Sequence, residues 1–258
     1  MTPPMHLPAE IIGPTQLTIY HQGPSHHGPL PALFYFALSG SDSLALDPYN
    51  QPVAFLRDAP IHVFSFTLPG HGPGLDNRKA IAYWAEEIGK GRNLMQTFVN
   101  MAIQNIDYLV ELGMVDPHRI GAAGLSRGGF AAAHLAAKDP RIKSILGFAP
   151  LTDLHILEEF QELVHHPLVE ALSLKSIVGE LADKHLRFYI GNRDERVGTS
   201  NCFEFIRALA DKAYGRRHRS PPIEMMINPS IGHKGHGTSP EIFKDGISWL
   251  KKQLILQH

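Results

Sequence analysis

The segment from Arg119 to Lys138 leaves this chain few folds to choose from. A short apolar run meets Gly124-Leu125-Ser126-Arg127-Gly128, and an alanine-rich stretch follows from Phe130 to Lys138. A strand that turns at once into a helix holds the corner residue in a strained conformation and projects its side chain above the sheet. Side chains two positions to either side would collide there, which accounts for glycine at 124 and 128. Ala131, Ala132, Ala133, Ala136 and Ala137 let the helix pack closely on the sheet. Its N-terminus directs positive dipole and free amides at the corner. A bare Gly-x-Ser-x-Gly is a weak signal, but the strand before it and the small-residue helix after it make it specific. The bland alternative is a structural turn with an inert serine.

The rest of the chain alternates in the same sense. Strand-like runs occur at Ala32–Leu38, Ile61–Phe66, Arg119–Leu125, Ser144–Ala149, Leu186–Gly191 and Ile223–Asn228. Several are apolar on both faces, as in Phe34-Tyr35-Phe36, which suits strands covered on each side by helices. Gln16–Tyr20 is expected to start an N-terminal antiparallel ribbon. Between the runs lie amphipathic stripes. Leu94, Phe98, Met101, Ala102, Ile106 and Leu109 make one, ended by Gly113 and Pro117; Cys202, Ile206, Leu209 and Ala213 make another, ended by Gly215. The last begins at Ser239-Pro240-Glu241, an N-cap with proline at the first helical position, and carries Ile242, Gly246, Leu250 and Leu254. Such alternation predicts an α/β fold with a mostly parallel sheet and right-handed crossovers. No repeat or polar linker divides the chain, so residues 1–258 are expected to form a single domain. Residues 153–183 are less regular and read either as a small lid or as a plain connector.

Composition removes several function classes. Lys+Arg total 24 and Asp+Glu 25, so no basic field exists to displace counterions from nucleic acid. The stretch Arg216-Arg217-His218-Arg219 reads as a solvated loop before a strand. A single cysteine, Cys202, excludes an intrachain disulfide. The amino-terminal Met1 to His6 lacks a secretion signal, and no apolar run approaches the ~18–20 residues of a membrane span. A soluble, cytoplasmic protein is expected. Of the 16 histidines, the pairs His26-His27, His165-His166 and His233/His236 raise the question of metal. No HExxH or paired-cysteine spacing accompanies them, so scattered surface histidines are expected instead, with no metal and no cofactor.

The stretch from Gly113 to Gly129, centred on Gly124-Leu125-Ser126-Arg127-Gly128, resembles the α/β-hydrolase superfamily, especially its dienelactone-hydrolase and prolyl-oligopeptidase-like branch. The resemblance runs from Leu33 onward, although only the corner is highly specific. It implies the α/β-hydrolase fold with roughly eight strands, chain order nucleophile–acid–histidine, and no obligatory cofactor. Serine is a poor nucleophile unless a histidine takes its proton, and that histidine needs a carboxylate to fix its tautomer. Asp194, in Gly191-Asn192-Arg193-Asp194-Glu195-Arg196-Val197, resembles the family's acid pattern and is the candidate acid. Asp153 is held in reserve, with an N-cap as its other reading. Two histidines follow the last strand. His236, before Gly237-Thr238-Ser239-Pro240, is similar in spacing to small carboxylesterases and acyl thioesterases; His233 matches the longer loop of other members. Both follow a glycine, so the motif leaves His236 first and His233 as the alternative.

Oxyanion donors are expected from the amide of Arg127 and, by the resemblance, from that of Ser41. Ser39 stands where the family usually has histidine, which departs from the pattern. The following Asp42 to Asn50 either lines the pocket or forms an ordered loop. Leu68-Pro69-Gly70-His71-Gly72 reads as a tight turn with a structural His71.

The functional expectation is a serine hydrolase that cleaves a small carboxylic ester or thioester through an acyl-enzyme, its partner a small-molecule acyl substrate. Because the base must be a neutral imidazole, activity should rise toward mildly alkaline pH. A peptidase or amidase is the runner-up; family peptidases often carry a large propeller or gating domain, for which this chain leaves no room. A catalytically silent fold used for binding is the reading from another class. Oligomeric state is not legible.

Overall fold

The computed structural model describes residues 7–25 and 28–256. Met1 to His6 and the pair His26-His27 therefore lie outside the described residues. Eight strands form one sheet: β1 (Ala9–Ile11), β2 (Ile19–Gln22), β3 (Leu30–Phe36), β4 (His62–Ser65), β5 (Val115–Leu125), β6 (Ile142–Phe148), β7 (His185–Gly191) and β8 (Ile223–Asn228). Their order is β1-β2-β4-β3-β5-β6-β7-β8. Strands β3 to β8 pair in parallel, while β1 and β2 add an antiparallel ribbon at the β4 edge.

Nine α-helices accompany the sheet among the described residues: α1 (Gly40–Ala45), α2 (Gln51–Ala54), α3 (Ala80–Gly89), α4 (Leu94–Glu111), α5 (Arg127–Lys138), α6 (Pro167–Leu172), α7 (Val178–Leu181), α8 (Thr199–Gly215) and α9 (Pro240–Leu256). The period of two in β3 explains why both faces are covered. Phe34 and Phe36 point into a core shared with Trp84, Phe98, Phe130 and Phe205. Leu33, Tyr35 and Ala37 point into a second core with Val53, Phe243 and Ile247. Burying each such large apolar side chain stabilises the fold by roughly 1.5–3 kcal/mol.

Details depart from the periodic reading where tertiary contacts decide. In α4 the buried face runs through Met95 and Val99 rather than Met101, and it includes fully buried Asn105. That amide donates to Leu17 O at 2.9 Å and accepts from Thr15 Oγ1 at 3.0 Å, tying the N-terminal segment to the helix. In α9, Phe243 and Ile247 join Leu250 and Leu254 as core residues. Gly246 passes so close to Phe148 that an added Cβ would lie 2.6 Å from the ring. Strand β5 starts earlier than expected, because a register shift between Leu30 and Ala32 lets 116–119, with Pro117, leave the ladder. The basic loop is anchored, with Arg216 and His218 both meeting Asp183. No helix among the described residues is long and apolar enough to cross a membrane.

Residues 153–183 form 3₁₀ turns with α6 and α7, and Leu154, Phe160, Val169 and Leu174 are buried in the same core as α3 to α5. Asp153 caps the first turn, accepting from His155 N at 3.0 Å and meeting His155 Nδ1 at 2.6 Å. His166 caps α6 by accepting from Leu168 N. The segment also receives a hydrogen bond from buried His134 of α5, whose Nε2–H donates to Leu172 O at 3.0 Å.

Burial has a titration consequence. His134 and His71 are 8% and 3% exposed, and burial pushes each down to about 4. In the unfolded chain a histidine takes up its proton near pH ~6.5. Between about pH 6.5 and 4 the unfolded state therefore binds more protons, and stability falls as pH falls through that window. The expected destabilisation is on the order of 1–3 kcal/mol per group by pH 4. A His134→Gln variant keeps an N–H for Leu172 O and should show a shallower decline of Tm between pH 7 and 4.5; an unchanged slope would refute the assignment.

Candidate active site

At the end of β5 the chain turns into α5 through Ser126, whose φ of 55° and ψ of −118° lie outside the regions a side-chain-bearing residue prefers. The strain is held by backbone hydrogen bonds on both sides. Ser126 N donates to Phe148 O at 2.8 Å, and its carbonyl accepts from Gly129 N and Leu151 N at 3.0 and 3.1 Å. The flanking glycines have a steric cause. An added Cβ at Gly124 would lie 2.1 Å from Gly128 C, and one at Gly128 would lie 1.9 Å from Phe36 O.

Three side chains meet at this corner. Ser126 Oγ lies 2.8 Å from His236 Nε2, and His236 Nδ1 lies 2.7 Å from Asp194 Oδ2. A carboxylate only accepts, so Nδ1 carries the proton and Nε2 is left to accept from the serine hydroxyl. Asp194 is almost wholly buried. Its Oδ1 accepts from the amides of Arg196 and Val197 at 2.9 and 3.0 Å, so both carboxylate oxygens have fixed partners. Thr199 secures the loop, accepting from Asp194 N at 2.9 Å and donating to Gly191 O at 2.6 Å. Sequence reasoning passed over Thr199; its place at the start of α8, five residues past the acid, was the only signal.

Beyond β8 a short turn carries the histidine. Gly232 and Gly235 have φ of 74° and 70°, and an added Cβ at Gly235 would lie 2.2 Å from Arg193 O. Glu195 N donates to Lys234 O at 2.8 Å, joining the acid loop to the histidine loop. His236 is thereby turned inward, while His233, at the start of the same turn, is exposed. Segment 153–183 reaches both loops: Lys234 pairs with Glu158 at 2.8 Å, and Arg196 makes two bonds to Glu159 at 2.7 and 3.1 Å.

Two backbone amides face no acceptor among the described residues. Arg127 N opens α5, and Ser41 N lies in the first turn of α1, where no intrahelical acceptor exists. Ser39 is the N-cap of α1, accepting from Asp42 N at 3.0 Å, so the residue that departs from the family pattern serves the helix start. Gly40 N donates to Thr67 Oγ1 at 3.0 Å. In the Asp42–Asn50 segment residues 42–45 complete α1 and 46–50 form turns, and Leu44, Ala45 and Asn50 help line a cavity of about 560 Å³ with His21, Arg57 and Ile61. Ser126, Asp194 and His236 are not part of that cavity's wall.

His71 is more than a turn residue. Its Nδ1–H donates to Asn77 Oδ1 at 2.8 Å, and its Nε2 accepts from Arg127 Nη1 at 3.1 Å. Burial, aided by the Arg127 charge, pushes His71 down to about 4, so the ring stays neutral and able to accept.

The sheet and the strained corner together define an α/β-hydrolase-superfamily protein of the serine-hydrolase class. The chain belongs to the prolyl oligopeptidase family, which it matches over residues 84–257. It is 25% identical over 240 residues to an acylamino-acid-releasing enzyme of Arabidopsis thaliana, covering 80% of this chain and 30% of that enzyme. The chain thus spans less than a third of the relative's length. Among solved structures, the fold is similar to that of Pyrococcus horikoshii acylaminoacyl peptidase (TM-score 0.69, 14% identity, 96% of this chain and 42% of that one). It is also similar to a cold-adapted esterase from an Arctic intertidal metagenomic library (TM-score 0.66, 18% identity, 95% and 92%).

Proposed function

We propose that the protein hydrolyses a small acyl substrate through an acyl-enzyme, with Ser126 as nucleophile, His236 as general base and acid, and Asp194 as the group that orients the imidazole. The chain of 2.8 and 2.7 Å hydrogen bonds from Ser126 through His236 to Asp194 carries this reading. Ser126 Oγ attacks the carbonyl carbon as Nε2 takes its proton. The resulting oxyanion accepts from the amides of Arg127 and Ser41, donors that need no reorganisation during the reaction. On collapse the leaving group departs with the proton from Nε2. A water molecule then attacks the acyl-enzyme by the same route and frees the acid.

Carboxylic esters and thioesters are the first substrate class. Acylated amino-acid amides are the second reading, favoured by the similarity to the Arabidopsis enzyme. A fluorophosphonate probe should label the wild-type chain at Ser126, as located by peptide mass spectrometry. A panel of p-nitrophenyl esters, acyl-CoAs and N-acetylaminoacyl anilides then ranks the classes by kcat/KM. Failure of the probe to modify Ser126, under conditions where a reference serine hydrolase reacts fully, would remove the proposal.

A further inference from the structure

Arg127 directly follows the nucleophile, and its half-buried guanidinium is unusually short of partners. Nη1 donates to His71 Nε2 at 3.1 Å and to Asn77 O at 3.2 Å, and these are its only side-chain hydrogen bonds among the described residues. No carboxylate among those residues comes within ion-pair distance of it. Arg196 nearby differs, because Glu159 binds it through both oxygens. A cation withdrawn from water against neutral acceptors alone is unfavourable until an anion joins it. Accordingly burial, followed by the charge of Arg196, pushes the Arg127 guanidinium below its ordinary range.

The pattern of the two bonds is informative. Nη1 spends both hydrogens on protein acceptors, which leaves Nε–H and Nη2. These lie along one edge of the guanidinium plane and form the parallel pair of donors that matches a carboxylate. His71, held by Asn77, fixes the plane and so the direction of that edge. The charged or titratable groups that act on Arg127 belong to Arg196 of the acid loop, Tyr49 between α1 and α2, and Glu159 of the 158–163 turn. Arg196 follows Asp194 by two residues, donates its amide to that carboxylate and is bound by Glu159, so Arg127 lies close to the loop that holds the acid.

We propose that Arg127 is a specificity-determining residue whose Nε/Nη2 edge binds a carboxylate on the acyl part of the substrate, so that half-esters of short dicarboxylic acids are preferred over neutral esters. The inference rests on the acyl-enzyme reading for turnover, whereas the anion site itself can be tested by binding alone. The first measurement compares kcat/KM for mono-p-nitrophenyl glutarate and p-nitrophenyl butyrate in the wild type, Arg127→Met and Arg127→Lys. The second is calorimetric titration of the same three proteins with glutarate, with Tm recorded for each.

The wild type should favour the glutarate half-ester by about tenfold or more, mainly through KM. Arg127→Met should lose that ratio, and Arg127→Lys, which keeps charge without the fork, should retain part of it. Glutarate affinity should weaken about tenfold in Arg127→Met. A wild-type preference for the neutral ester, a ratio unchanged by Arg127→Met, or equal glutarate binding in both proteins would overturn the assignment. Should neither ester be turned over, the ester class is removed, labelling of Ser126 by the fluorophosphonate still tests the acyl-enzyme reading, and the glutarate titration decides the anion site.

Discussion

Turnover by an Asp194→Asn variant is expected to fall about 10⁴-fold with the fold intact, as for the equivalent change in other serine triads. The reason lies in the two oxygens of Asp194. Oδ1 accepts from the amides of Arg196 and Val197, so an asparagine must place its carbonyl oxygen there. Its NH₂ group then faces His236 Nδ1, where Oδ2 now stands at 2.7 Å. Nδ1 becomes the acceptor and the ring proton moves to Nε2. That nitrogen, 2.8 Å from Ser126 Oγ, would carry a hydrogen and could not take another. Ser126→Ala should lose at least as much, since the attacking oxygen is gone. Steady-state kinetics on the best substrate of the ester panel, with Tm as a check on folding, reads both. An Asp194→Asn variant within tenfold of wild type would refute the role given to the carboxylate.

Alanine at Gly128 should be the most damaging single change to stability, by more than about 4 kcal/mol. The new Cβ would lie 1.9 Å from Phe36 O and 2.5 Å from Phe36 C, both backbone atoms of β3. No rotamer relieves such a contact. Strand β3 cannot retreat, because it is paired on one side with β4 and on the other with β5, the strand that leads into the corner. The same substitution at Gly215, where an added Cβ meets nothing within 4 Å at the end of α8, should change stability by no more than about 1 kcal/mol. Chemical denaturation of the two variants separates the steric account from a general intolerance of alanine. If Gly128→Ala were as stable as Gly215→Ala, the packing argument would fail.

Features that depend on near neighbours in the chain were legible beforehand. The parallel strands β3 to β8 and the long helices α4, α8 and α9 are read from periodicity, because each buries a face broad enough to leave a repeat. The short helices and strand β1 were not. Strand β1 is mostly exposed and gains its form by pairing with β2, while α1 and α2 are too short to show a stripe. The polar ties were hidden for a related reason: Asn105 with Leu17, Arg127 with His71, and Arg196 with Glu159 join residues 37 to 88 positions apart.

The sequence by itself determined the strand-to-helix corner at Ser126, since two glycines and an alanine-rich helix admit little else, and it narrowed the partners to a few positions. Only the tertiary structure decided which of the two loop histidines meets the serine. His233 and His236 are three residues apart behind similar glycines, and the choice comes from contacts made elsewhere. Gly235 packs on Arg193 O, Lys234 O accepts from Glu195 N, and Asp194 holds the ring of His236. Each of those contacts joins the loop after β7 to the loop after β8, and no local pattern records the approach of two segments about forty residues apart.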